Sequence, residues 1–251
     1  MEHVAFLIPL FASTAALYAS VGFGGGSTYT ALLVLFQVPL LLIPKISLVC
    51  NLLVVTGGLY QYIRAKQLSL SFVLPFVVTS IPCAYMGGRL PIAKETFLIL
   101  LGISLCAAGL RMLCATSLVT RGTQTTPRKS WVIGLPMGAL LGLLSGMVGL
   151  GGGIFLAPLL YFLGWGTPRQ IAASSSFFIF VNSLAGLWGQ MEKDTAVVAW
   201  PVLLPLGIAV LCGGQIGSRL SVGALSAKHL QRITAMVILF VAFRIFWERW
   251  S

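Results

Sequence analysis

Charge is what this sequence has least of: 8% of its 251 residues are charged, Asp and Glu together number five, and His occurs twice. A water-soluble globule carries about 25% charged residues, so a soluble domain is excluded. The acids Glu2, Glu95, Glu192, Asp194 and Glu248 sit at the ends of apolar runs or between them, which leaves a proton relay through a buried carboxylate without a carrier. There is no Ser-His-Asp set, no metal-spaced cluster of His, Cys, Asp or Glu, and no glycine loop ending in Lys-Ser or Lys-Thr. An enzyme, a metal centre and a bound cofactor are therefore not expected. Cysteine is sparse too, and Cys50, Cys83, Cys106, Cys114 and Cys212 form no CxxC pair; they read as packing residues of apolar segments.

What is present is hydrophobic: 58% of the residues, with a mean hydropathy of +0.98. A membrane helix needs roughly 20 apolar residues, and the runs bounded by charge, Pro or Gly number ten. They cover 4–22, 27–44, 46–63, 68–88 and 95–113, then 131–148, 154–166, 170–190, 195–216 and 229–247. A stretch rich in Thr, Ser and basic residues, 115–130, separates a first membrane repeat over 1–114 from a second over 131–251. The first run lacks an early Lys or Arg and counts as a span, not a signal peptide. The net charge of +11 is spread singly or in pairs between the runs, which fits orientation in lipid and not nucleic-acid binding.

The halves repeat one another. VGFGGG at 21–26 answers VGLGGG at 148–153, GLYQ at 58–61 answers GLWGQ at 186–190, GGRL at 87–90 answers GSRL at 217–220, and Lys94 roughly matches Lys228. An all-α polytopic fold of two inverted repeats is expected, with about ten helical segments and helix breaks at the glycine strings. With ten crossings and the N-terminus outside, ten Lys and Arg fall inside and six outside, as cytoplasmic loops prefer. The alternative makes the short runs after the strings re-entrant; eight crossings would then make the repeats parallel.

Gly24, Gly25 and Gly26, like Gly151, Gly152 and Gly153, should break their helices. Broken backbone at membrane depth must be buried in protein or line a polar cavity. The helices restarting near Ser27 and Ile154 would aim N–H groups and positive dipole ends there, a setting for an anion. Ser47, Asn51 and Thr56 in the first half and Ser174, Ser175, Ser176 and Asn182 in the second supply neutral polar lining. Lys45 and Arg169, each after a proline, are candidates for the entrances. Gly134, Gly138, Gly142 and Gly146 share one helix face and read as a packing stripe. Arg89 and Arg219 read as ordinary helix-end cations.

VGFGGG, CNLLVVTGG and YIRAKQL in the first half, with SGMVGLGGGIFLAPLL, AASSSFFIFVNSLAGLWGQ and GSRL in the second, resemble the sulfite exporter family called TauE/SafE. The resemblance implies permeation of a small sulfur-containing anion, such as sulfite or an organosulfonate, through a multi-pass protein of the bacterial inner membrane. AASSS stands where the family commonly has Gly-Thr-Ser, and CN where it has Thr-Asn, departures that bear on selectivity. Lipid and the anion are the expected partners, with no nucleic acid. A proton-coupled carrier of another small organic anion and a non-transporting membrane assembly partner are the competing functions.

Overall fold

The computed structural model describes residues 2–20, 22–39, 42–90, 127–193 and 200–223, with single positions between 95 and 110 and between 232 and 247. Apart from those positions, the expected spans 95–113 and 229–247 fall outside the described residues. So do most of the linker, Lys94 and Lys228. Every regular element among the described residues is helical: α1 Glu2–Ala19, α2 Gly26–Leu35, α3 Ile43–Arg64, α4 Leu70–Arg89, α5 Pro127–Val148, α6 Gly153–Leu163, α7 Pro168–Lys193 and α8 Trp200–Gly223. Five of them, α3, α4, α5, α7 and α8, are long and apolar enough to cross a bilayer. α5 starts inside the stretch read as linker, because Pro127 suits a first helical position.

The solvent for this fold is hydrocarbon. Large apolar side chains such as Phe6, Val132, Trp188 and Ile208 face outward, whereas Ser47, Asn51, Ser145, Ser174, Ser175, Asn182 and Ser183 are completely buried. A chain folding in water places these classes the other way round.

α2 and α6, with 10 and 11 residues, rise only about 15 Å, half the ~30 Å hydrocarbon core. Each ends in a left-handed cap. Gln37 (φ 56°) lets the Val38 N–H donate to Leu33 O at 2.9 Å, and Gly164 (φ 67°) lets the Trp165 N–H donate to Leu160 O at 3.0 Å. The apolar run 27–44 is therefore not one span, since the cap and Pro39 stop the helix after Leu35.

Both short helices turn back. Gly25 lies against Thr14 and Tyr29 stacks on Phe11 with centroids 4.6 Å apart, so α2 runs back beside α1. Gly152 lies against Ser145 near the end of α5, while Gly166, past the end of α6, meets Phe72 close to where α4 touches the beginning of α5. A first helix and its returning half-helix thus start and finish toward the same end. Neither α2 nor α6 is long enough to complete a span.

Packing joins helices from opposite halves. α4 lies along α5, with Gly138, Gly142 and Gly146 against the backbone of Phe76, Ser80 and Ala84; α1 lies along α8, with Gly213 and Gly217 against Ala12 and Ala16. The packing stripe read from the sequence is this contact: a Cβ at those glycines would overlap the facing main chain. The paired motifs meet crosswise as well. Gly58 and Gln61 of GLYQ face Ser218 of GSRL, and Gly186 and Gln190 of GLWGQ face Gly88 of GGRL. Two bundles result, one of α1, α2, α3 and α8 around Phe11, Tyr29 and Val210, the other of α4, α5, α6 and α7 around Phe76, Leu156 and Phe178. They meet chiefly where α3 crosses α7.

α3 begins beside Gly149 and reaches Ser218 near the end of α1, whereas α7 begins beside Gly22 at the end of α1 and reaches Gly146 near the end of α5. α3 and α7 therefore run antiparallel. The glycine strings lie between them.

Candidate functional site

The breaks fall where the sequence expects them, after Ala19 and after Val148. Gly25 (φ 89°) and Gly152 (φ 76°) adopt left-handed backbone just before α2 and α6, a conformation strained for any residue with a Cβ. Gly22 and Gly149, the first glycine of each string, were not singled out from sequence but are equally tight. A Cβ on Gly22 would stand 2.6 Å from Ala172 O, and one on Gly149 would stand 2.7 Å from Pro44 Cα.

Each string is held by the opposite half. The Ser176 hydroxyl donates to Gly22 O at 2.9 Å. Ser47 Oγ lies 3.1 Å from Gly26 O and 3.0 Å from Gly149 O, within donating distance of both strings at once. One hydroxyl thus fixes how closely the two breaks approach.

Asn51, one turn further along α3, sits between them. The bare Cα atoms of Gly24 and Gly26 leave the space its amide fills, and a Cβ on Gly151 would come within 3.1 Å of Nδ2. Asn51 is fully buried, yet neither Oδ1 nor Nδ2 has a hydrogen-bond partner. Leaving such groups unpaired costs about 1–3 kcal/mol each, so an unpartnered amide at the meeting point of two helix breaks is a candidate contact for a polar guest.

Further buried hydroxyls have no partner either. Ser174 and Ser175 come from the expected AASSS run. Ser145 and Ser183 were not foreseen, although their signal was available as hydroxyls close in sequence to the second string and to Asn182. Ser183 Oγ lies 2.7 Å from a Cβ position on Gly151, and Ser145 Oγ 3.2 Å from one on Gly152. Ser27 Oγ, in the first turn of α2, is unpartnered too.

Other expected residues lie elsewhere. Asn182 turns toward α4, its Nδ2 donating to Ser80 Oγ at 3.0 Å and to Phe178 O at 2.8 Å. Thr56 is exposed and donates to Leu52 O of its own helix at 2.6 Å. Lys45, buried, and Arg169, half-buried, occupy the first turns of α3 and α7 and so stand toward opposite ends. Arg89 pairs with Glu192 (Nε to Oε2, 3.5 Å) and lies over the Tyr85 ring, joining the ends of α4 and α7.

The chemistry available is binding without bond-making. Two half-helices present N–H groups that their own helices cannot satisfy, and neutral amide and hydroxyl groups complete the lining. Among the described residues no three His, Cys, Asp or Glu side chains come together as a metal site.

Proteins with similar sequences are named as probable membrane transporters. A probable membrane transporter protein of Sinorhizobium fredii is 32% identical over 251 residues, covering 98% of this chain and 99% of its own. One of Xylella fastidiosa is 26% identical over 67% of this chain and 65% of its own, and one of Bacillus subtilis is 26% identical over 46% and 41%. No solved structure matches. The family model described as sulfite exporter TauE/SafE matches residues 6–245, a span that takes in both strings and every helix that holds them, and the chain therefore belongs to that family of multi-pass membrane transporters.

Proposed function

We propose that this protein moves a small sulfur-containing anion, such as sulfite or an organosulfonate, outward across the bacterial inner membrane, and that the anion binds between Gly24–Ser27 and Gly151–Gly153 against Asn51, Ser174 and Ser175. The observation that carries this reading is the unpartnered, fully buried amide of Asn51 where both strings converge. Dipole ends of α2 and α6 favour a negative guest there. The opposed helix directions support inverted repeats, and the excess of Lys and Arg at one end supports an N-terminus outside.

Buried on all sides, the site needs a conformational step to open. The two exchanged bundles are the natural moving bodies, rocking where α3 crosses α7. Outward movement of one negative charge is favoured by about 2.3 kcal/mol per 100 mV of interior-negative potential, so the proposed mechanism is electrogenic uniport.

Purified protein in liposomes, with the potential set by a potassium gradient, tests this directly. Sulfite or sulfonate flux should rise with the potential and vanish in Asn51→Leu. Flux indifferent to potential but accompanied by pH change would establish the proton-coupled alternative. No flux of any anion from monodisperse protein would favour the assembly partner.

A further inference from the structure

The two strings are equivalent in sequence, but the side chains they meet are not. Pro44 meets Gly149 and Ala172 meets Gly22, so these two positions correspond across the halves. Seven residues beyond each lie Asn51 and Ile179. Asn51 fills the space beside Gly24 and Gly26; Ile179 fills the space beside the matching Gly151 and Gly153, with Cγ2 at 2.8 Å from a Cβ on Gly151 and Cδ1 at 2.5 Å from one on Gly153. Phe178 Cε1 closes the same side, 2.9 Å from a Cβ on Gly152. Where the first half offers an amide, the second offers a branched alkyl group and an aromatic edge, flanked by the buried, unpartnered hydroxyls of Ser183, 2.7 Å from a Cβ on Gly151, and Ser145, 3.2 Å from one on Gly152.

Resting on the site assigned above, we infer that its guest is one-sided: a small organic monoanion whose charged head faces Asn51 and the start of α2, and whose short apolar substituent faces Ile179 and Phe178. Sulfate presents polar oxygen in every direction and would leave some of it against Ile179 unpaired, which costs free energy. The charge argues the same way. Each half-helix terminus is equivalent to about +0.5 elementary charge, so two of them balance one negative charge and not two. Lys45 is in the first turn of α3, about 9 Å along the helix axis from Asn51. Ile179 is then a specificity-determining residue, and Asn51 its polar counterpart.

Liposomes containing the full chain would be assayed for flux of methanesulfonate, propionate and sulfate, with Ile179→Asn, Ile179→Thr and Ile179→Val compared. Wild type should carry methanesulfonate or propionate faster than sulfate by roughly tenfold or more, the discrimination an apolar pocket provides. Ile179→Asn and Ile179→Thr should cut that ratio by roughly tenfold while Ile179→Val preserves it. An unchanged ratio with all fluxes lowered together, in whichever polar variant folds, would overturn the inference and leave the site intact. Sulfonate over carboxylate keeps both readings; carboxylate over sulfonate keeps the one-sided site and removes the sulfur preference. Absence of flux for all three anions in monodisperse wild type would sink the transport reading itself.

Discussion

Ser47 Oγ, in the first half, stands 3.0 Å from the carbonyl oxygen of Gly149 in the second, and the same atom is 3.1 Å from Gly26 O. The two breaks are therefore spaced by one side chain. Ser47→Ala leaves two buried carbonyls without that donor, a loss of about 0.5–2 kcal/mol in a membrane interior. Thermal unfolding in detergent should shift down by a few degrees. Anion flux should fall more than stability does, because the separation of the strings is released; equal flux in the variant would show that the bridge is only structural.

Glycines here serve two different needs, and substitution separates them. Gly146 faces the Ala84 backbone with no room for a Cβ, whereas around Gly164 nothing lies within 4 Å and only φ, at 67°, is demanding. Gly146→Ala should force α4 and α5 apart, costing about 1–3 kcal/mol or more. Gly164→Ala should cost only about 1–2 kcal/mol from left-handed backbone, and Gly164→Asn less. Melting temperatures of the three variants in one detergent check the order.

Much of this was legible in the sequence. The glycine stripe on α5, the helix breaks and the crosswise motifs depend on composition and repetition, which a linear chain displays. The return of α2 and α6 was not legible, because an apolar run does not announce that Gln37 will adopt a left-handed turn. Asn182 reads from the sequence as polar lining like Asn51, yet in three dimensions Asn182 bonds Ser80 and Ile179 meets the string. Which face of a helix a polar residue occupies depends on the helix it packs against, and the linear order does not carry that. Ser145 and Ser183 are single hydroxyls whose importance arises only from what surrounds them.

Lys45 and Arg169 start helices that run in opposite directions, so they stand toward opposite faces of the protein. Neutralising one should weaken anion capture from one side only. In oriented vesicles, Lys45→Gln should raise the apparent KM severalfold for flux in one direction, and Arg169→Gln for flux in the other, the effect at the half-exposed Arg169 shrinking as salt rises and that at the buried Lys45 changing little. Symmetric effects of either change would show that these cations do not guard separate entrances.

The exchanged bundles make a prediction that sequence halves do not. Gly58 of the first half and Ser218 of the second belong to one bundle, and a Cβ on Gly58 would lie 3.7 Å from Ser218 Cβ, a spacing suited to a disulfide. Leu48 and Gly186 belong to different bundles, with Leu48 Cδ1 at 3.7 Å from a Cβ on Gly186, so cysteines at the two positions suit a short bifunctional thiol reagent better than a direct disulfide. Oxidised Gly58→Cys/Ser218→Cys should carry anion at close to the reduced rate. Leu48→Cys/Gly186→Cys joined by a short bis-methanethiosulfonate should lose at least roughly nine-tenths of its flux and regain it on reduction, because the crossing of α3 and α7 is where rocking bundles must slide. If the moving bodies were instead the two sequence halves, the bond between Gly58 and Ser218 would also join them, and both pairs would arrest transport.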